Sequence, residues 1–230
     1  MFQKPVILLA GGTGGIGQAI AQILSGQNQL IVVGRDTQKS HSLALSFGVE
    51  FVVADITDPS GLQAAVDSIL NRHGKIDVAI NSVGMLLDGA LDSYEPYEIK
   101  KLFETNVLGA IYFTQAVLPR MKQLRQGKII HLGSQASLVA RKYRSIYNAS
   151  KWALRGFVLS LQEEVAKHNI AISLVHPGLV KTDLLKKAGV DLEESHSLDP
   201  TLIARWVKLL VESQPGLVIP EIGLRSLKDY

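Results

Sequence analysis

The 230-residue chain has no cysteine. Disulfides and thiolate metal sites are therefore excluded, and the composition fits a reducing compartment. Histidine is scarce and scattered, with six in all and no pair at metal-ligand spacing. Charge of one sign is not in large excess: 24 Lys and Arg against 21 Asp and Glu give a formal net charge of +3. That excess is too mild to argue for nucleic acid, and neither zinc-ligand spacing nor an aromatic platform supports such a partner. No apolar run reaches membrane length, and Val6–Ala10 is too short for a signal-peptide core. A soluble, cytoplasmic protein with no membrane partner is the expectation. Linkers rich in Pro, Gly or Ser, low-complexity segments and fixed-period repeats are also missing, so residues 1–230 are expected to form one domain. Hydrophobic residues make up 47% and charged residues 20% of the chain, an ordinary balance for a globular protein with a substantial core.

Short apolar stretches alternate with helical patterns from end to end. Val6–Ala10, Leu30–Val33, Val49–Val53, Ile76–Ile80, Lys128–Leu132, Ile170–Val175 and Leu217–Ile219 read as strands. Gly15–Ser25, Gln38–Phe47, Leu62–Leu70, Tyr97–Met121, Tyr147–His168 and a segment from Asp199-Pro200 to about Val211 read as helices. Asp58-Pro59 and Asp199-Pro200 are helix-start signals. The alternation predicts an α/β fold, a doubly wound Rossmann-type parallel sheet of about seven strands with helices on both faces.

Five glycines fall between Gly11 and Gly17, where the first strand gives way to the first helix. Glycine inside an element costs roughly 0.5–1 kcal/mol relative to alanine, so the cluster needs a reason. A flexible turn is one. The other is a dinucleotide pyrophosphate, which binds exposed backbone N–H groups at this turn of a doubly wound sheet. The spacing is Gly11-x-x-x-Gly15-x-Gly17, although Gly12-x-Gly14-x-x-Gly17 can also be read. A second signal is Tyr147-Asn148-Ala149-Ser150-Lys151, which puts Tyr147 and Lys151 on one helix face. A neighbouring ammonium lowers a phenol pKa from its usual value of about 10, which would fit Tyr147 for proton exchange with an alcohol or carbonyl oxygen. A third is Ser134, just past a strand at the sheet edge where open parallel sheets bind ligands.

With these motifs in this order, the sequence resembles the short-chain dehydrogenase/reductase family over nearly its whole length. Gly11-x-x-x-Gly15-x-Gly17 is similar to the family's cofactor glycine motif, with Thr13, Gly14 and Ile16 inside it. Asp55-Ile56 resembles the adenine-contacting pair, and Asn81-Ser82-Val83-Gly84 the Asn-Asn-Ala-Gly element. Asn106, Ser134, Tyr147 and Lys151 match the catalytic set, and Pro177-Gly178, Val180 and Thr182 the segment bordering the nicotinamide. The resemblance implies reversible hydride transfer between a nicotinamide and a carbonyl or alcohol. It implies that Ser134 holds the substrate oxygen, that Tyr147 exchanges its proton, and that Lys151 lowers the Tyr147 pKa and contacts the ribose. It further implies that Asn106 positions a water for proton resupply, and that Val180 and Thr182 fix the carboxamide.

NAD-preferring members carry an acid at the end of the second strand. Here Gly34 stands near that place and Arg35 follows, which suits a 2′-phosphate. NADP(H) is therefore expected, with Asp36 keeping NAD(H) open. Ala10, Ser82 and Val83 depart from the family pattern without changing size or role greatly. The C-terminal stretch from Pro220 departs further and puts the common tetramer in doubt. A homodimer through Tyr97–Met121 and Tyr147–His168 is expected, with Ala149, Ala153 and Gly156 available for close packing. Asp183–Leu198 reads as a lid over the site. Arg141-Lys142-Tyr143-Arg144 either draws in an anionic substrate, such as a 3-oxoacyl thioester, or is a solvated loop. A non-catalytic NADP(H) sensor on the same fold, or an NAD-dependent alcohol dehydrogenase, is the alternative reading. His176 is expected to be structural.

Overall fold

The computed structural model describes residues 4–187 and 197–227. Seven strands form one sheet: β1 (Val6–Ala10), β2 (Gln29–Gly34), β3 (Glu50–Val53), β4 (Val78–Asn81), β5 (Gly127–Leu132), β6 (Ile170–Pro177) and β7 (Glu221–Leu224). Every pairing is parallel, in the order β3-β2-β1-β4-β5-β6-β7. The order reverses between β1 and β4, and a crevice opens beyond the carboxyl ends of the strands at such a point.

The helices are α1 (Gly15–Leu24), α2 (Thr37–Phe47), α3 (Pro59–His73), α4 (Pro96–Phe103), α5 (Gly109–Leu124), α6 (Ser145–Val165), α7 (Asp183–Lys187) and α8 (Pro200–Glu212). Strand alternation divides the core in two. Val6, Leu8 and Ala10 face the layer of α3, α5 and α6, whose Val66, Phe113 and Val158 are buried there. Ile7 and Leu9 face α1 and α8 through Ile20, Leu24 and Val207. Both faces of β1 are thus covered, which is why it is a continuous apolar run with no polar alternation. The two helix-start signals act as read: Asp58 accepts from the Ser60 N–H at 3.1 Å and Asp199 from the Thr201 N–H at 2.7 Å, each with Pro at the first helical position.

Two expectations are corrected. The stretch Tyr97–Met121 is not one continuous helix, because a π-helical turn, Glu104–Leu108, separates α4 from α5. The Gly109 N–H donates to the Glu104 carbonyl, five residues back. The turn holds Asn106, whose carboxamide is bonded outside the helix to the loop after β4. The last strand is not Leu217–Ile219 but Glu221–Leu224, which pairs with Leu174–Pro177. Leu217 and Val218 remain 40% and 38% exposed, whereas Glu221 is anchored by Arg155 and His176. Side-chain anchoring outweighs local hydrophobicity in choosing the strand. Among the described residues, no helix is long and apolar enough to cross a membrane.

Candidate active site

At the tip of β1 the chain turns through Gly11, which has φ +81°. Its N–H donates to the Val33 carbonyl at 3.1 Å and its own carbonyl accepts from Gly14 at 3.1 Å. Gly14 caps α1 with no side-chain hydrogen bond, so the first N–H groups of the helix are left for an external acceptor. A Cβ on Gly17 would run into the Gly11 carbonyl oxygen, and one on Gly15 would lie 2.6 Å from Thr182 Cγ2. The turn is as close-packed as a phosphate cradle must be, and the residues present fit a dinucleotide.

From this turn a recess runs toward β2 and β3, lined by Thr13, Arg35, Asp55, Ile56, Thr57 and Thr105. Asp55 Oδ1 accepts from the Thr57 N–H and hydroxyl at 2.9 and 2.8 Å, and Oδ2 lies 3.6 Å from the Arg35 guanidinium. Partial burial raises the Asp55 carboxyl, but the Thr57 bonds and Arg35 hold it below its ordinary value. Ile56 is buried, and a Cβ on Gly109 would lie 3.0 Å from its Cγ2. Asp36 faces away from this use, since its carboxylate caps α2 by accepting from the Lys39 N–H at 3.0 Å.

The other arm of the crevice holds Ser134, Tyr147 and Lys151 together. Ser134 follows β5 and caps a short 3-10 turn, Gln135–Ser137, with its Oγ accepting from the Ala136 N–H at 3.1 Å. Tyr147 and Lys151 lie one turn apart near the start of α6. Lys151 Nζ donates to the Leu132 carbonyl at 3.2 Å and sits 5.8 Å from the Tyr147 ring centre. Both side chains are buried. Burial lowers the Lys151 ammonium to about 8. The expected fall in the Tyr147 pKa is not found here: burial raises the phenol, while the Ser134 hydrogen bond and the Arg144 charge oppose the rise. The spacing of Tyr147 and Lys151 puts them on one face, but burial decides the direction of the Tyr147 shift.

Behind this cluster lies a fully engaged polar layer. Asn81 Oδ1 accepts from the Val83 N–H at 3.0 Å, fixing the loop through Val83 and Gly84. Asn106 clamps the next residue, accepting from the Met85 N–H at 2.8 Å and donating to the Met85 carbonyl at 2.9 Å and to Ser150 Oγ at 3.1 Å. Its side chain therefore shapes the loop. Asn81 Nδ2 also meets His131 Nδ1 at 3.4 Å, and His131 Nε2 meets Thr114 Oγ1 at 3.1 Å. Burial, aided by the Lys151 charge, lowers His131 from 6.5 to about 3. The unfolded chain therefore binds a proton that the folded chain refuses. The contribution of neutral His131 is complete above about pH 6.5 and is lost as pH falls toward 3. We expect denaturant midpoints measured at pH 7 and pH 4.5 to differ less in His131→Asn than in the wild type. An equal acid loss in both would assign the loss to other groups.

Pro177 ends β6, and the Gly178 N–H donates to the Leu224 carbonyl at 2.7 Å. Val180 is buried and bridges to Leu198, flanked by Leu198 N–H to the Leu179 carbonyl and Lys181 N–H to the Leu198 carbonyl. This bridge ties the segment just before the expected lid to its last residue. The lid residues 188–196, with Val190, Glu193 and Glu194, lie outside the described residues. Met85, Leu86, Leu179 and Leu185 give the cleft apolar walls. Nothing in the periodicity pointed to Met85-Leu86, whose only signal was an apolar run placed straight after Gly84. In the basic loop, Arg144 Nε donates to Asp88 Oδ2 at 2.7 Å, so this guanidinium is already paired. Arg141 is half-buried and lines the cleft, with no carboxylate in ion-pair distance among the described residues.

Residues 5–193 match the sequence profile of the family described as short chain dehydrogenase. A 3-ketodihydrosphingosine reductase of Bacteroides thetaiotaomicron is 35% identical over 77% of this chain, an alignment spanning 64% of that relative's own length. Carbonyl reductase family member 4 of Xenopus tropicalis is 31% identical over 90% of this chain and 91% of its own. Among solved structures, ElxO with NADP bound superposes with a TM-score of 0.85 at 26% identity, covering 96% of this chain and 98% of that one.

Proposed function

Since the chain belongs to the short-chain dehydrogenase/reductase family and is an oxidoreductase of the CH–OH/C=O class, we propose that it is an NADP(H)-dependent carbonyl reductase whose catalytic group is Asn106, Ser134, Tyr147 and Lys151. The observation that carries this reading is the buried Tyr147–Lys151 pair beside Ser134, across the crevice from the glycine turn. Gly11, Thr13, Gly14, Gly15, Ile16 and Gly17 would hold the pyrophosphate side of the cofactor, with Arg35, Asp55 and Ile56 around the adenosine. Asn81, Val83, Gly84, Pro177, Gly178, Val180 and Thr182 would border the nicotinamide end. The bound nicotinamide supplies or accepts the hydride.

The protein's own residues handle the oxygen. The Ser134 hydroxyl donates to the carbonyl oxygen and orients it. Tyr147 gives that oxygen its proton as the carbonyl carbon takes the hydride, so the alcohol leaves neutral. Lys151, largely protonated at neutral pH, stabilises the phenolate left behind. Asn106 holds the Met85 loop against the pair, where it would position a water for proton resupply. A cofactor sensor on the same fold would have no use for a Tyr–Lys proton-transfer pair, which is why the enzyme reading is preferred to that alternative.

Arg35 supports NADP(H). It stands at the end of β2 with its side chain 75% exposed and paired with Asp55 only at 3.6 Å, within reach of a 2′-phosphate, while Asp36 is engaged as a helix cap. The NADP found in the solved relative agrees with this choice. The test is fluorescence titration with NADPH and NADH. Losing a charge-assisted bond of about 1.5–3 kcal/mol, Arg35→Ala should bind NADPH roughly tenfold to a hundredfold more weakly, with NADH little affected. Tighter NADH binding by the wild type would overturn the preference and favour an NAD-dependent alcohol dehydrogenase. The apolar walls with Arg141 at the mouth favour a ketone that carries an apolar chain and an anionic end, of which a 3-oxoacyl thioester is one form. An NADPH-consumption screen of anionic and neutral ketones separates these.

The same reading takes the protein as a one-domain cytoplasmic homodimer. Ala149, Trp152, Ala153 and Gly156 are exposed along α6, and a Cβ on Gly156 would meet nothing. This stripe does not pack on the sheet and supports a helix-to-helix contact between copies.

A further inference from the structure

Outside the catalytic group lies a buried chain of polar side chains that the mechanism above does not use. Ser137 and His176 are both fully buried. Ser137 Oγ lies 2.6 Å from His176 Nδ1 and 2.5 Å from the Ser134 carbonyl oxygen. His176 Nδ1 is itself 3.1 Å from that carbonyl. On the far side of the ring, Nε2 lies 2.9 Å from Glu221 Oε1. Arg155 grips both oxygens of Glu221, at 2.6 and 2.9 Å. A Cβ on Gly133 would fall 3.0 Å from His176 Nδ1, so the glycine before Ser134 is what admits the ring to the backbone there.

Resting on the catalytic role given to Ser134 above, we propose that His176 is a positioning residue for that serine, oriented by Glu221 and Arg155 and acting through Ser137 and the Ser134 carbonyl. The proton inventory supports a directed contact. With a neutral ring, Nε2–H donates to Glu221, Nδ1 accepts from the Ser137 hydroxyl, and Ser137 reaches the Ser134 carbonyl through its backbone N–H at 3.0 Å. With a charged ring, both N–H groups donate and the Ser137 hydroxyl turns to the Ser134 carbonyl. In both, a carboxylate held by a two-point guanidinium bond sets the ring plane, and the ring sets the loop that carries Ser134. The links come from four places in the chain: α6, β7, the end of β6 and the turn after β5. A plain brace for β7 would need only the Glu221 side of the ring. The Ser137 side leads to the turn that carries the catalytic serine.

That asymmetry gives the test. An Asn amide overlays the Nδ1 position of His, its oxygen able to accept from the Ser137 hydroxyl, and a Gln amide nitrogen overlays Nε2. His176→Asn keeps the Ser134 side and should retain most of kcat. His176→Gln keeps only the Glu221 side, and Ser137→Ala removes the bridge. Both should lose about tenfold in kcat through misplacement of Ser134, with KM and NADPH affinity changed by no more than about twofold. If β7 bracing were the only role, His176→Gln would behave like the wild type and His176→Asn would melt lower, which overturns the proposal. Tyr147→Phe in the same assay checks the underlying reading separately. A readout independent of turnover is nitrogen-15 NMR of histidine-labelled protein. Ser137→Ala should shift the His176 Nδ1 resonance and leave that of His131 in place. An unmoved His176 resonance would refute the linkage, whatever the activity.

Discussion

Tyr147→Phe is expected to fold like the wild type, to bind NADPH with unchanged affinity, and to lose about 100- to 10,000-fold in turnover, the range of general acid–base catalysis. The ring is buried with Leu86, Leu102 and Ile146, and phenylalanine fills the same space. What disappears is one hydroxyl, whose interaction with Ser134 opposes the burial-driven rise of the phenol. Since Ser134 Oγ also accepts from the Ala136 N–H, the serine keeps a partner and the loop has no reason to collapse. The defect should therefore lie in kcat, with fluorescence titration showing normal cofactor binding. Near wild-type turnover would remove Tyr147 from the mechanism.

The second large effect is expected from Gly17→Ala. A methyl there overlaps the Gly11 carbonyl oxygen, and that carbonyl cannot move freely. Gly11 sits at positive φ, is tied to Val33 through its N–H, and accepts from Gly14 through the very oxygen in question. Overpacking of a tight site costs typically about 1–3 kcal/mol, and here the clash is with backbone. Thermal melting should drop, and NADPH binding should weaken by more than about tenfold because the N–H groups at the start of α1 are displaced. Gly14→Ala is the control for stability. Its added carbon would lie 3.5 Å from the Gly11 oxygen, an ordinary contact, so its melting temperature should stay near that of the wild type. Equal melting of both variants would contradict the cradle geometry.

Features decided by neighbours along the chain were legible in the sequence. β1 and the glycine turn, the Asp58 and Asp199 caps, and the shared face of Tyr147 and Lys151 all follow from local spacing. Features decided by distant partners were not. Glu221 is polar, and nothing near it marks a strand, because its partners Arg155 and His176 lie 66 and 45 residues away. Arg144 reads as a free charge until Asp88, 56 residues earlier, is placed against it. The direction of the Tyr147 shift depends on burial, which is a tertiary property. The π-turn was hidden for a different reason: Leu102, Phe103, Val107, Leu108 and Ala110 keep a helical spacing across it, and only the backbone bond from Gly109 to Glu104 marks the break.

That five-residue turn also constrains how a gene for this chain can drift. One residue of an α-helix corresponds to a rotation of about 100°. An in-frame loss of a single codon between Glu104 and Leu108 would leave an unbroken, well-bonded helix, with no penalty visible in its own backbone. It would nonetheless swing α4 around relative to α5 and pull Asn106 from either Met85 or Ser150. A change of length here cannot be absorbed without breaking the Asn106 bonds. The turn acts as a fixed count of residues, preserved by the geometry of the site it serves.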